Sequence, residues 1–297
     1  MRELSFFVPN EYDGIGLKSF LRSYCGISSR LMIRLKREPM GITRNGLHAI
    51  VTETLKAGDA VHVRMPEDHK LHEPLSLPLA VVYEDSDLLI VNKPANMPMY
   101  PTPGHDRDSL ANVAAAYFSS KGERLAFRPV YRLDKDTTGL VLLAKNPYCA
   151  ARLAAKIEKE YIAVCEGAIC GKGMISAPIG LKAGHKIQRE VTVGGDRAVT
   201  LWKELEGGKG HTLLALQLKT GRTHQIRVHM AHIGHPLAGD DMYGGSLQLI
   251  QRQALHCMSI HFIHPVTKSE LNLFCGLPED MQALLRICGM KKYTKTS

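Results

Sequence analysis

Apolar and polar positions alternate differently along the two parts of this 297-residue chain. In the first part, LKSFLR and SSRLMIRLKRE carry apolar residues at helical spacing. Leu31 and Leu35 fall on one face, and Arg30, Arg34 and Arg37, at i, i+4 and i+7, on a neighbouring one. GITRNGLHAIVTETLKAGDAVHVR reads as short strands set off by the turn signals Asn45-Gly46 and Ala57-Gly58-Asp59. MPEDHKLHEPLSLP, residues 65 to 78, is polar, proline-bearing and aperiodic, as a linker is.

From residue 79 the texture changes. LAVVYEDSDLLIVNKP predicts a strand, an Asp-Ser-Asp turn and a second strand; SLANVAAAYFSS predicts a helix, GLVLLAKN a strand, and PYCAARLAAKIEKE a helix opened by its proline. EYIAVCEG, AVTLWKELE and HTLLALQLK follow as strands, the last two joined by a Gly-Gly-Lys-Gly hairpin. Strands outnumber helices and come in sequential pairs, so the fold class is α+β with a largely antiparallel central sheet. The expected organisation is a small α+β domain at 10–66, a linker at 67–78 and a larger domain at 79–290.

Composition narrows the setting. The longest apolar runs, LAVVY and LVLLA, are far shorter than the roughly 20 residues a membrane-crossing helix needs. The N-terminus, MRELSFFVPNEYDG, has no apolar stretch of signal-peptide kind, so a cytoplasmic location is expected. Seven cysteines occur without a C-x-x-C pair, as reduced structural thiols would. The formal charge of +9 favours polyanionic partners. Much of it lies at 14–44, where Lys18, Arg22, Arg30, Arg34, Lys36, Arg37 and Arg44 face a single acid, Glu38.

Two stretches carry candidate chemistry. RLDKDTTG, residues 132 to 139, sets Asp134 and Asp136 just ahead of the GLVLLAKN strand, where a carboxylate is held at a sheet edge. Aspartate is also common in turns for local reasons, and spacing alone does not choose between the two. LKTGRTHQIRVHMAHIGHPLAGDDMYGG, residues 218 to 245, offers Thr223 as the cap of a helix bearing Gln225, Arg227 and His229. His224, His229, His232, His235 and His256 invite a metal-site reading, but none forms an H-E-x-x-H pair, and the arginines would oppose a cation. No metal is expected.

Taken together, R-L-D-x-x-T-[ST]-G, K-E-Y-x-A, T-G-R-T-H-Q-I-R-V-H and G-H-P-x-x-G-D-x-x-Y-G resemble the RluA-like family of RNA pseudouridine synthases, from YEDSDLLIVNKPANMP at 83–98 to RQALHCMSIHFIHPVT at 252–267. The first domain, through its two helices, the RNG turn and the KAGDAVHV strand, resembles a small S-four-like RNA-binding module.

The resemblance implies a pseudouridine-synthase-type catalytic domain that isomerises uridine in structured RNA without cofactor. Large-subunit ribosomal RNA is expected ahead of transfer RNA as the partner, with no membrane partner and a monomeric chain. A rival function is a non-catalytic RNA-binding or ribosome-assembly factor on the same fold. The family's essential aspartate maps onto Asp134, its partner arginine onto Arg227, and its uracil-stacking tyrosine onto Tyr161. Arg30, Arg34, Arg37, Lys36, Arg132, Arg222 and His224 are the expected RNA-binding residues. Asp136 is then a solvated loop residue and Thr137-Thr138-Gly139 the turn.

Two positions depart from the pattern: Tyr131 stands where the family has histidine, and Asn96 where it has glycine. Asparagine tolerates the left-handed conformation that glycine supplies there.

Overall fold

The computed structural model describes residues 2–68, 71–154, 156–291 and 293. Near the N-terminus, β1 (Glu3–Phe7), α1 (Leu17–Ser23), α2 (Ser29–Leu35), β2 (Ile42–Arg44), β3 (Leu47–His48) and β4 (Ala60–Arg64) build two helices and an antiparallel sheet of order β1-β4-β2-β3. Asn45 and Gly46, at φ 50° and 81°, make the two-residue turn between β2 and β3. Leu17, Phe20, Leu21, Leu31 and Leu35 bury the apolar helix faces against Val61 and Val63. Ser28 caps α2 by accepting from the Leu31 amide.

Helix α2 is shorter than its pattern suggests. After Leu35 the backbone bonds tighten from i−4 to i−3, with Arg37 N–H donating to Arg34 and Glu38 N–H to Leu35. Arg37 therefore leaves the helical face it was expected to share with Arg30 and Arg34.

Residues 65–68 and 71–78 form no regular element; His69 and Lys70 of the expected linker lie outside the described residues. The segment is nonetheless fastened. Asp68 takes an ion pair from Arg128 and accepts from the Ala126 amide, and Asn112 donates to the Glu73 carbonyl. Further bonds tie the N-terminal unit to the rest: Arg2 pairs bidentately with Asp87 at 2.7 and 2.8 Å, and Phe6 meets Tyr148 edge to face. Gly26 leaves room for the Arg152 guanidinium, which any side chain there would strike.

The larger part comprises β5 (Val81–Glu84), β6 (Leu88–Lys93), α3 (Leu110–Ser120), β7 (Thr138–Ala144), α4 (Pro147–Leu153), β8 (Glu158–Glu166), β9 (Lys172–Ser176), β10 (Ile179–Leu181), β11 (Arg189–Val191), β12 (Val199–Gly208), β13 (His211–Leu218), α5 (Gln225–His232), β14 (Leu255–Ile263), β15 (Glu270–Phe274) and α6 (Glu279–Ile287). Among the described residues nine strands form one sheet, in the order β5-β6-β7-β14-β8-β13-β12-β9 with β15 on β14, and only the β7–β14 pair is parallel. Every residue of β7 is buried, as expected of a strand covered on both faces. β10 and β11 pair separately.

Two local expectations change. The helix predicted through Glu160 ends at Leu153, where α4 stops after a start set by Asn146 as cap and Pro147 in the first turn; Ala155 is outside the described residues. Glu158–Glu166 is strand instead, because β13 and β14 satisfy its backbone from both sides and override helix propensity. Thr138 and Gly139 belong to β7 rather than to the turn, which closes earlier through Thr137 N–H to the Asp134 carbonyl. Gly139, at φ 114°, is required where it stands: a Cβ would overlap the Cys257 backbone of β14.

Candidate active site

Asp134 sits in the turn before β7 and lines a cavity of about 410 Å³ with Tyr131, Arg132, Lys159, Tyr161, Arg222, His224 and Arg227 among its walls. The turn is held from beneath. Lys93, fully buried, donates from Nζ to the carbonyls of Pro94, Met97 and Lys135 at 2.8–2.9 Å. Burial pulls its ammonium down to about 7, against the opposing pull of Asp136 and Asp134. Arg252 donates to the Asp136 carbonyl at 3.0 Å while gripping Asp280 through two bonds. Asp136 is more than a solvated loop residue: its Oδ1 accepts from the Asn96 amide at 3.1 Å. Asn96 itself adopts φ 55°, so the turn survives the loss of glycine.

Across the cavity, α5 supplies Arg227. Its cap is not Thr223 but His224, which enters the helix in the left-handed region at φ 57°. Arg227 is almost wholly buried, and three groups fix its guanidinium. Asp240 accepts from Nε and Nη2, both at 2.7 Å; the Tyr243 ring lies 5.0 Å from the guanidinium carbon; Nη1 is left 3.3 Å from Asp134 Oδ2. Burial alone would lower the Arg227 pKa, but Asp240 overrides it and raises it, so the cation persists.

His224 also approaches Asp134, with Nε2 3.9 Å from Oδ2. Burial pushes its pKa below the ordinary imidazole value, although Asp134 opposes the shift. Its Nδ1 lies 2.8 Å from the Tyr243 hydroxyl, which itself accepts from the Arg189 amide. The direction of the bond between that hydroxyl and Nδ1 follows the imidazole tautomer, and the other ring nitrogen, Nε2, is the one nearer Asp134.

Tyr161 projects from β8 and is 4% exposed. Burial raises its phenol well above the ordinary range, so it is a neutral ring with a polar tip. Arg132, exposed at the rim, donates to Thr223 Oγ1 at 2.9 Å, and Arg222 donates to the Arg197 carbonyl. Asp134, Tyr161, Arg227, Arg132, Arg222 and His224 thus meet at one cavity. Arg30, Lys36 and Arg37 do not line it; they are exposed on the N-terminal unit, and Arg34 is half-buried and donates to the Glu67 carbonyl. Sequence reasoning gave no role to Asp240 and Tyr243, although both stand in the quoted G-D-x-x-Y-G run and a buried arginine calls for such partners.

The histidines do not converge. His229 bonds Thr200 and the Ala177 carbonyl, His235 the Glu166 carbonyl, and His256 the Thr138 hydroxyl. Among the described residues one trio has metal-like spacing, Asp85, Asp87 and His264. Its carboxylates are already engaged, Asp87 by Arg2 and Asn146 and Asp85 by Tyr83 and two amides; His264 Nδ1 accepts from the Val266 and Thr267 amides, and its Nε2 lies 3.0 Å from Asp85 Oδ2.

Residues 87–232 match the RNA pseudouridylate synthase family. The chain is 39% identical over 271 residues to the uncharacterized RNA pseudouridine synthase YjbO of Bacillus subtilis, covering 88% of this chain and 95% of that one. It is 38% identical over 234 residues to the ribosomal large subunit pseudouridine synthase D of Vibrio cholerae, covering 72% of each. Among solved structures, human RNA pseudouridylate synthase domain containing 1 superposes with a TM-score of 0.57 at 25% identity, over 70% of this chain and 87% of that one.

Proposed function

The chain belongs to the RluA-like family of RNA pseudouridine synthases, enzymes that isomerise uridine within RNA, and from that membership we propose that Asp134 is the carboxylate acting at the target nucleotide. The observation that carries this reading is the 3.3 Å ion pair with Arg227, a guanidinium immobilised by Asp240. It fixes the carboxylate at the wall of a cavity where a uridine taken out of its stack would lie. Tyr161 offers its ring to the uracil, a contact of about 1–3 kcal/mol, and the remaining bonds of Asp134's turn hold the carboxylate in place.

Arg132, Arg222 and His224 grip the RNA at the rim. The unit expected at 10–66, together with β1, which pairs β4 in its sheet, acts as an S-four-like RNA-binding domain through Arg30, Lys36 and Arg37, with the segment 67–78 joining it to the catalytic domain at 79–290. The RNA is ribosomal, in line with the large-subunit enzyme among the relatives. The protein works as a cytoplasmic monomer; among the described residues no helix is long and apolar enough to cross a membrane.

Asp134→Asn is expected to abolish tritium release from RNA carrying 5-tritiated uridine while leaving the fold and RNA binding intact. Full activity in that variant would remove Asp134 from the role. Mapping pseudouridines in total RNA from cells with and without the protein identifies the target; a missing site in transfer RNA alone would overturn the ribosomal assignment.

A further inference from the structure

Strand alternation places Lys159 and Tyr161, two residues apart on β8, on the same face of the sheet, about 7 Å apart along the strand. Both line the Asp134 cavity. Lys159 Nζ lies 4.8 Å from the centre of the Tyr131 ring and 3.3 Å from the Ile157 carbonyl, and among the described residues no carboxylate reaches it. Other interior cations of this domain are differently placed: Arg227 has Asp240, Arg252 has Asp280, Lys145 has Glu84, and the Lys93 ammonium is held by three backbone carbonyls. Burial lowers the Lys159 pKa, with Cys257 opposing, as befits a cation lacking a counter-ion.

Tyr131 gives this arrangement its sense. Its hydroxyl is anchored to the Leu140 carbonyl at 2.9 Å, so the ring presents a fixed face to the ammonium. A protonated imidazole at that position would repel it. In this chain the Tyr131 ring thus forms an aromatic wall on which the Lys159 cation is parked inside the cavity. Phosphate groups of the RNA are already met by the exposed Arg132 and Arg222 at the rim, whereas Lys159 stands beside the ring-stacking Tyr161.

We propose that Lys159 is a further catalytic residue: its ammonium donates a hydrogen bond to a carbonyl oxygen of the target uracil and stabilises the negative charge the base carries on leaving the ribose. When the bond from N1 to C1′ breaks, its electron pair goes with the base, and the charge spreads over N1, O2 and O4. Lys159 keeps its proton throughout. After the base turns, C5 bonds to C1′, the C5 proton is lost, and N1 takes up a proton, so that the net change is an isomerisation. The inference rests on the reading of Asp134's cavity as the site of uridine isomerisation, and wild-type tritium release tests that reading first.

With an active wild type, Lys159→Met and Lys159→Gln are measured on the same RNA transcript under single-turnover conditions with saturating enzyme. The expected result is a rate about 10²–10³-fold lower, as for loss of one preorganised donor to a developing anion. RNA affinity and its salt dependence stay at the wild-type level, and Lys159→Arg recovers most of the rate. An unchanged rate would make Lys159 a wall residue only. Weakened binding at an unchanged rate, with the salt slope reduced by about one, would make it a phosphate contact. Circular dichroism checks that each variant is folded; if one neutral variant fails to fold, the other decides.

Discussion

Asp240 engages Nε and Nη2 of Arg227 through two bonds of 2.7 Å and thereby aims Nη1 at Asp134. The pair is buried, and removing one member strands the other. Asp240→Ala is expected to destabilise the fold by about 3–5 kcal/mol and to cut tritium release at least tenfold. Asp240→Asn keeps the volume and loses less stability, but the same activity, because an amide cannot hold both guanidinium donors. Thermal unfolding and single-turnover rates separate the two effects.

Gly139 joins the Asp134 turn to the sheet at a point where β14 leaves no space for a side chain. Gly139→Ala combines a left-handed backbone with an overlap against Cys257, and an expected loss of about 2–4 kcal/mol follows. Activity should fall further than stability alone explains, since the displaced strand carries the Asp134 turn with it. Urea titration together with rates measured well below the melting temperature is the check.

Acid should weaken the protein in two steps. Burial pushes His256 down to about 4. The unfolded chain, whose histidine titrates near 6.5, therefore takes up a proton first as pH falls, and stability present above pH 6.5 is lost down to about pH 4. The full effect of this group is about 3 kcal/mol. Burial alone would raise Glu84, but Lys121, Lys145 and Tyr117 hold it at about 2; its contribution is present above about pH 4.5 and fades as pH falls towards 2. Melting temperatures across pH 3–8 should decline first below pH 6.5, and His256→Gln should remove its share of that first decline, the remainder coming from His224 and His229, whose pKa values burial also lowers.

On the N-terminal unit, Arg30, Lys36 and Arg37 are exposed, whereas Arg34 is committed to the Glu67 carbonyl and lies 3.9 Å from Asp68. Each exposed cation changed to glutamine should lower the salt slope of RNA binding by about 0.7–0.9 with no effect on melting. Arg34→Gln should instead lower the melting temperature and leave the slope nearly unchanged. Filter binding at several salt concentrations measures this.

The ordered motifs made Asp134, Tyr161 and Arg227 legible before any coordinates, because each sits inside a run whose spacing survives without knowledge of the fold. What they could not convey was how a buried guanidinium is satisfied. Asp240 and Tyr243 reach Arg227 from a later loop, a relation that exists only once α5 has turned back on the sheet. The false extension of α4 has a similar cause. AAKIEKE has helical composition, and only the pairing of β8 with β13 and β14 converts its end to strand. His224 escaped as a cap because a left-handed histidine is a tertiary imposition with no compositional signal.

The bonds between the two units carry a consequence for target choice. Arg2 with Asp87, Phe6 with Tyr148 and Asp68 with both Arg34 and Arg128 leave the basic helix little freedom to swing relative to the cavity. An RNA that touches both must present its grip and its uridine at one separation and one angle. On the proposed reading, in which the basic helix grips RNA, the molecule works as a calliper: it measures a fold of RNA, and a uridine in the right sequence at the wrong distance goes unread.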